Sequence, residues 1–174
     1  MESMESMETV KPVNVGDEWC TPAWLFKVLD EEFQFTLDVA CTELNNLIPG
    51  NALIDGLVDP WHGVVFVNPP YSDPGTWVSK AIHEIQRGNG PHEIVILLPA
   101  STDTQWFAQI VRHAYQIRFL SGRLKFEYQG DPHFPARSGS ALAIFRADHK
   151  ESDGIQVEWV SYNPEGYTFL SRSS

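Results

Sequence analysis

At 174 residues, 43% of them hydrophobic and 12% aromatic, the chain carries enough apolar material for one globular domain with a real core, which excludes a disordered or fibrous protein. No apolar run reaches the length of a membrane span and no signal peptide precedes the fold, so a protein of the cytoplasm with no membrane partner is expected. The two cysteines, Cys20 and Cys41, make no disulfide framework, and the net charge of −11 runs against a dedicated nucleic-acid binder, which usually carries a basic surplus.

Residues 1–16 begin with alternating Met, Glu and Ser and read as a flexible acidic tail, with a single domain over 17–174. Asp17-Glu18-Trp19-Cys20-Thr21-Pro22 opens the ordered part. Thr21 suits an N-cap and Pro22 a first helical position, and Leu25, Phe26, Leu29 and Phe33 then fall on one helical face. Trp19 is either a staple onto the first turn or, with Thr21, part of a ligand site. Phe35 to Cys41 reads as a strand interrupted by Asp38. A carboxylate there is costly to bury unless a positive or hydrogen-bonding group meets it. Near the strand's end it either receives the ammonium or hydroxyls of a small ligand or is a surface aspartate. No Gly-x-Gly-x-x-Gly follows. Thr42-Glu43-Leu44-Asn45-Asn46 puts small and polar groups in its place, so a dinucleotide fold is not signalled. Pro49 to Gly63 reads as loop with one short strand at Ala52-Leu53-Ile54. Within it, Asp55 either accepts hydrogen bonds from a nucleoside or serves turn chemistry.

The most informative stretch comes next. Val64-Val65-Phe66-Val67 has the composition of a buried strand, and it runs into Asn68-Pro69-Pro70-Tyr71. Two prolines remove two backbone donors and fix two φ angles, so the strand stops abruptly. The residue before a proline is held extended, which makes a stiff hook bearing an amide, two prolyl carbonyls and an aromatic ring. In open α/β sheets ligands bind at this end of a strand. The hook suits an exocyclic amine of a nucleobase, whose lone pair is delocalised into the ring. The Asn68 side-chain oxygen and the Pro69 carbonyl can each accept one of its N–H bonds, favouring a tetrahedral nitrogen with its lone pair free for attack. Tyr71 would stack on a base that has left its helix. The plainer alternative is a proline-rich turn with Tyr71 as packing.

Ser72 to Gly75 turns into a helix whose apolar face is Trp77, Ala81 and Ile85 with Val78 and Ile82 beside it, ended by Gly88-Asn89-Gly90. Glu93 to Pro99 is a near-continuous apolar strand of the parallel-sheet kind. Ser101 to Thr104 caps a helix with Trp106, Phe107, Ile110, Val111 and Ala114 on one face. Gln116 to Leu120 is a further strand, Gly130 to Gly139 a polar loop holding His133 and Arg137, and Ala141 to Phe145 a strand. Gln156 to Val160 suits one more edge strand, and the last dozen residues carry no signal. The alternation of strand and helix is that of a doubly wound α/β sheet. Arg118, Arg123, Lys125, Arg137 and Arg146 gather toward the back, opposed between Arg118 and Arg146 only by Glu127 and Asp131, which allows a local basic face with salt-sensitive binding. No zinc spacing, P-loop or Gly-x-Ser-x-Gly elbow occurs, so metalloenzyme, NTPase and hydrolase chemistry lack a starting residue.

Taken together, Trp19-Cys20-Thr21-Pro22, Leu37-Asp38-Val39-Ala40, Asp55-Gly56-Leu57 with Pro60-Trp61, Asn68-Pro69-Pro70-Tyr71, Leu98-Pro99-Ala100, Thr102-Asp103-Thr104 with Trp106-Phe107, and Gly122-Arg123-Leu124-Lys125-Phe126 resemble the phage and prophage family of small DNA N-6-adenine methyltransferases. The resemblance runs from about Asp17 to Arg146. It implies a Rossmann-like sheet that binds S-adenosylmethionine, with Asp38 near the cofactor's methionine or ribose, Trp19, Thr21 and Pro22 along its amino-acid end, Ala40 and Asn45 in the segment replacing the glycine loop, and Asp55 near its adenosine. Asn68, Pro69, Pro70 and Tyr71 would form the catalytic hook, with Asn68 bordering the cofactor as well. Arg123, Lys125 and Arg137 are candidates for phosphate contacts with a DNA substrate. No metal is implied. The glycine usual after the first strand of wider methyltransferases is missing, and no insertion offers a separate target-recognition domain, so specificity should be short or relaxed. Asn-Pro-Pro-Tyr is shared with enzymes that methylate protein glutamine or RNA guanine. Methylation of RNA or protein therefore remains an alternative, as does a non-catalytic phage binding protein.

Overall fold

Two hydrophobic clusters, one on each face of a mixed β-sheet, organise the chain in the computed structural model, which describes residues 20–43, 45–51, 53–128 and 131–170. The acidic tail, Asp17, Glu18 and Trp19 lie outside the described residues, as do Leu44, Ala52 and Gly130. The elements in chain order are α1 (Ala23–Phe33), β1 (Leu37–Asp38), β2 (Val64–Val67), α2 (Pro74–Gln86), β3 (Glu93–Pro99), α3 (Gln105–His113), β4 (Gln116–Leu120), β5 (Lys125–Tyr128), β6 (Asp131–Pro135), β7 (Ser140–Arg146), β8 (Gln156–Asn163) and β9 (Gly166–Phe169). Seven strands form one sheet in the order β1-β2-β3-β7-β4-β8-β9, and β5 pairs with β6 as a separate antiparallel ribbon.

The expected alternation of strand and helix is present, but the sheet is not uniformly parallel. β1, β2 and β3 are parallel to one another, whereas β7 inserts antiparallel between β3 and β4. The near-continuous apolar run of β3 therefore reflects cover on both faces and not the direction of both neighbours. Strand parity sorts the core. Val65, Val67, Ile94, Ile96, Leu98, Ala141, Ala143 and Phe145 face α2 and α3, while Phe66, Val95, Leu97, Leu142 and Ile144 face α1 and the β5–β6 ribbon.

Local chemistry fixes the helix ends. Asp73 caps α2 by accepting from the Thr76 amide, with Pro74 in the first turn, and Thr104 caps α3 by accepting from the Phe107 amide. The start of α1 differs from expectation. Pro22 is its N-cap, no side chain caps it, and Thr21 lies one residue outside and buried. Its far end is closed by Asp30, whose carbonyl accepts from Gln34 and whose carboxylate accepts from the Phe35 amide. Gln34 turns through the left-handed region at φ 57° and sends the chain back along the sheet. Of the predicted α3 face, Phe107, Ile110 and the C-cap residue Ala114 are buried and Trp106 is half-buried against the same cluster, whereas Val111 is exposed.

Four further expectations are corrected. The first strand is only Leu37–Asp38, since Ala40 and Cys41 turn away under hydrogen bonds to Asp38. The described part of Ala52–Ile54 is not strand. The supposed loop from 130 to 139 contains β6, because the Lys125–Tyr128 segment finds it as an antiparallel partner. Gln156–Val160 belongs to a longer strand that is not an edge, for the last residues supply β9, which covers it.

Candidate active site

The register of β1 against β2 builds the site. Asp38 stands opposite Phe66, and the amide of Val39 donates to the Phe66 carbonyl, so Asn68 lies one step beyond the end of this ladder. By strand alternation Asp38, Phe66 and Asn68 share the α1 face, with about 8 Å between the Cα atoms of Asp38 and Asn68. The start of α1 arrives at this same end, because Phe26 packs edge-on to Phe66 at 5.2 Å. Thr21 and Pro22, both buried, are thereby held beside the carboxyl ends of β1 and β2.

Asp38 is 6% exposed. Burial pushes its carboxyl up from 3.8 to about 6, against the opposing hydrogen bond from the Ala40 amide at 3.1 Å. That amide is its carboxylate's one hydrogen-bond partner among the described residues. The backbone around it is clamped by Asn51, which sequence reasoning did not single out. The Asn51 oxygen accepts from the Asp38 amide at 3.0 Å, and its nitrogen donates to the Asp38 carbonyl at 3.0 Å. One side-chain amide thus does for the outer edge of β1 what a neighbouring strand would do. The Asn51 nitrogen also reaches the Cys41 sulfur at 3.1 Å. Burial and the charge of Asp38 raise the Cys41 thiol to about 11, so it is a neutral thiol and not a nucleophile. Asn45 turns its side-chain oxygen to the Thr42 amide and hydroxyl, closing the loop that follows.

In the hook, the Pro70 carbonyl accepts from the Asp73 amide at 3.2 Å and is used up by the turn into α2. Pro69, by contrast, has no backbone hydrogen bond among the described residues. Tyr71 folds over the sheet toward β7: its ring meets Phe126 of the ribbon edge-on at 5.6 Å, and its hydroxyl lies beside that of Ser140, the first residue of β7. Burial drives this phenol above its ordinary range, with Ser140 opposing, so it stays protonated. The ring is half-buried and bridges β2 to the ribbon.

The Asp55–Trp61 loop is fastened against the same end of the sheet. A Cβ on Gly56 would run into the Val39 carbonyl and the Trp77 ring, so only glycine lets the loop approach β1. Trp61, fully buried, donates its indole N–H to the Gly56 carbonyl at 2.7 Å and its amide to Glu84 at 3.0 Å. Glu84, a buried carboxylate in α2, is held between Lys80 at 2.8 Å and Arg87 at 2.7 Å. Sequence reading missed Glu84 as well; its signal was Lys80 and Arg87 at helical spacing around one acid. Asp55 is exposed and serves its own turn, taking the Leu57 amide on its carboxylate.

The predicted basic group divides. Arg118 is buried and bound bidentately to Glu32 at 2.7 and 2.8 Å, and Arg146 pairs with Glu93 at 2.7 Å and lies over Tyr115, so both are structural. Arg123, Lys125 and Arg137 are exposed at the ribbon that carries Phe126, with Arg123 donating to the Ala136 carbonyl at 3.0 Å. The structure thus brings Asp38, Asn68, Tyr71, Thr21 and Pro22 to one end and face, with these three cations on the ribbon beside Tyr71. A cleft of about 520 Å³ opens at the opposite end of the strands, among His62, Arg87, His92, His113, Arg146 and His149, and holds none of them.

A family described as DNA N-6-adenine-methyltransferase (Dam) matches residues 8–161. A DNA N-6-adenine-methyltransferase of Escherichia phage T1 is 31% identical over 151 residues, covering 84% of this chain and 61% of the relative. One from Haemophilus phage HP1 (strain HP1c1) is 32% identical over 110 residues, covering 60% of this chain and 62% of the relative. The matched regions thus span about three-fifths of these relatives' length. The match from residue 8 to residue 161 takes in α1, the Asp38 strand, the hook and the ribbon, and the chain belongs to the DNA N-6-adenine-methyltransferase (Dam) family.

Proposed function

We propose that this chain transfers a methyl group from S-adenosylmethionine to the exocyclic N6 amine of adenine in DNA, with short or relaxed sequence specificity. The observation that supports the reading is the β1–β2 register, which sets the buried carboxylate of Asp38 opposite Phe66, two residues before Asn68 and the hook. The residues present fit the cofactor. Asp38 is a buried carboxylate needing a positive or hydroxylic partner, as the cofactor's ammonium or ribose offers. Gly56 keeps the Asp55 loop close to β1, on the side expected to receive the adenosine.

When bound, S-adenosylmethionine supplies an electrophilic methyl group on a sulfonium. Asp38, fixed by Asn51, would hold the ligand's polar end, with Thr21, Pro22, Ala40 and Asn45 lining its approach. The Asn68 oxygen and the Pro69 carbonyl would each accept an N–H of the adenine amine, leaving the nitrogen lone pair directed at the methyl carbon. The chain's own part would be to hold the amine in line with that methyl, and the proton the alkylated nitrogen sheds would pass to water, so no side chain need act as a base. Tyr71 stays a neutral phenol throughout and acts by contact with the base and not as a base itself. Rate enhancement would come from positioning and preorganised dipoles. Arg123, Lys125 and Arg137 would meet phosphates and set the register of the DNA. Tritiated S-adenosylmethionine incubated with unmethylated DNA should leave label in N-6-methyladenine. Label confined to RNA or protein would refute the DNA assignment.

A further inference from the structure

Strand β7 is apolar from Ala141 to Phe145, and its first residue, Ser140, breaks that pattern while being only 2% exposed. Alternation puts Ser140 on the face of Leu142 and Ile144, the face of α1 and the ribbon. A buried hydroxyl in such a strand is costly unless a polar group meets it. The neighbouring backbone groups are engaged. Pro99, opposite Ser140, has no amide, and its carbonyl accepts from the Ser101 amide at 2.8 Å. The Gly139 carbonyl accepts from the Ala100 amide at 2.8 Å. What remains is the Tyr71 phenol. Strands β2 and β7 flank β3, and so run roughly 10 Å apart. Val67 stands opposite Ile96, which sets Pro70 level with Pro99 and therefore with Ser140. Tyr71 leaves β2 one residue later, and its hydroxyl lies beside that of Ser140, with both oxygens buried.

We propose that Ser140 is a positioning residue: its hydroxyl anchors the Tyr71 phenol and so fixes the plane in which the ring meets the target base. The inference rests on the reading of Tyr71 as the base contact. The other restraints on the ring do not set its plane. Pro69 and Pro70 stiffen the backbone before it. Phe126 meets it edge-on at 5.6 Å, a contact that lets the ring slide and tilt. A tie between buried hydroxyls resists tilting, because each oxygen would lose a partner by leaving. Without the serine hydroxyl, the phenol is short of a partner and gains by turning out to water, which carries the ring off its stacking plane. Ser140 itself needs no contact with DNA or cofactor.

Methyl incorporation measured over a range of DNA concentrations tests this. Ser140→Ala should raise KM for DNA about tenfold, the worth of one lost hydrogen bond, with kcat held within about twofold. Ser140→Ala combined with Tyr71→Phe should return KM to the value of Tyr71→Phe alone, because no hydroxyl is left to turn outward. A serine that merely packs in its strand would shift the melting temperature and leave KM for DNA where it was. Native kinetics in Ser140→Ala, or a rise in KM that survives undiminished in the Tyr71→Phe background, would overturn the tie and leave Tyr71 as the base contact. An unchanged KM for DNA in Tyr71→Ala would overturn that contact and the tie together.

Discussion

Asp38→Asn separates what the fold wants from what the site needs. In the folded chain the carboxyl is raised to about 6 from 3.8, mainly by burial. Between those values the native state holds more protons than the unfolded state, so stability falls as pH rises from about 4 to 6 and then levels. At neutral pH the buried charge costs about 3 kcal/mol, from the gap of roughly two pH units at 1.36 kcal/mol each. Asparagine keeps an oxygen for the Ala40 amide and carries no charge. The variant should therefore melt higher than the native chain at pH 7.5, by up to about 6–12 °C at 2–4 °C per kcal/mol. The advantage should vanish near pH 4, where Asp38 is already neutral. Differential scanning calorimetry at both pH values reads the difference, and calorimetric titration with S-adenosylmethionine should show binding lost in the variant. In the native chain affinity should fall as pH drops through about 6. A difference in melting temperature that does not change with pH, or a variant less stable at pH 7.5, would refute the burial argument. Undiminished binding by the variant would refute the cofactor role.

Asn68→Ala should lower turnover at least 100-fold with cofactor affinity nearly unchanged, as measured by methyl incorporation and titration in parallel. Tyr71→Phe should keep the packing on Phe126 and most activity, whereas Tyr71→Ala should raise KM for DNA; equal kinetics for both on duplex DNA would contradict contact with the base. Glu32→Ala removes the bidentate partner of the buried Arg118 and leaves it Glu158 at 3.8 Å with Gln116 and Tyr162, so it should cost up to about 3 kcal/mol in denaturant unfolding, the range of hydrogen bonds to a charged group. Gly56→Ala forces the Asp55 loop off Val39 and Trp77, and should weaken S-adenosylmethionine binding more than it lowers the melting temperature.

The sequence alone was enough for most of the elements and for the hook. Two successive prolines, Pro69 and Pro70, remove the donors that would continue the β2 ladder, and Val64 to Val67 or Glu93 to Pro99 are too apolar and too short to be anything but buried strands. Caps such as Asp73 and Thr104 are legible because they act within one turn. What sequence could not decide depends on partners far along the chain. Direction is one case: nothing in Ser140–Arg146 says it runs antiparallel between β3 and β4, because its residues are apolar whichever way it points. The ribbon is another, since Asp131–Pro135 becomes a strand only by pairing with Lys125–Tyr128. Charge is the third. Arg118, Arg123 and Arg146 look alike in sequence, yet Glu32, from a helix 86 residues earlier, makes Arg118 a buried brace. Asp38 shows both halves at once: its presence in an apolar run marked it as costly, and only the fold, through the Phe66 register and the Asn51 clamp, aimed it at the face that holds Asn68.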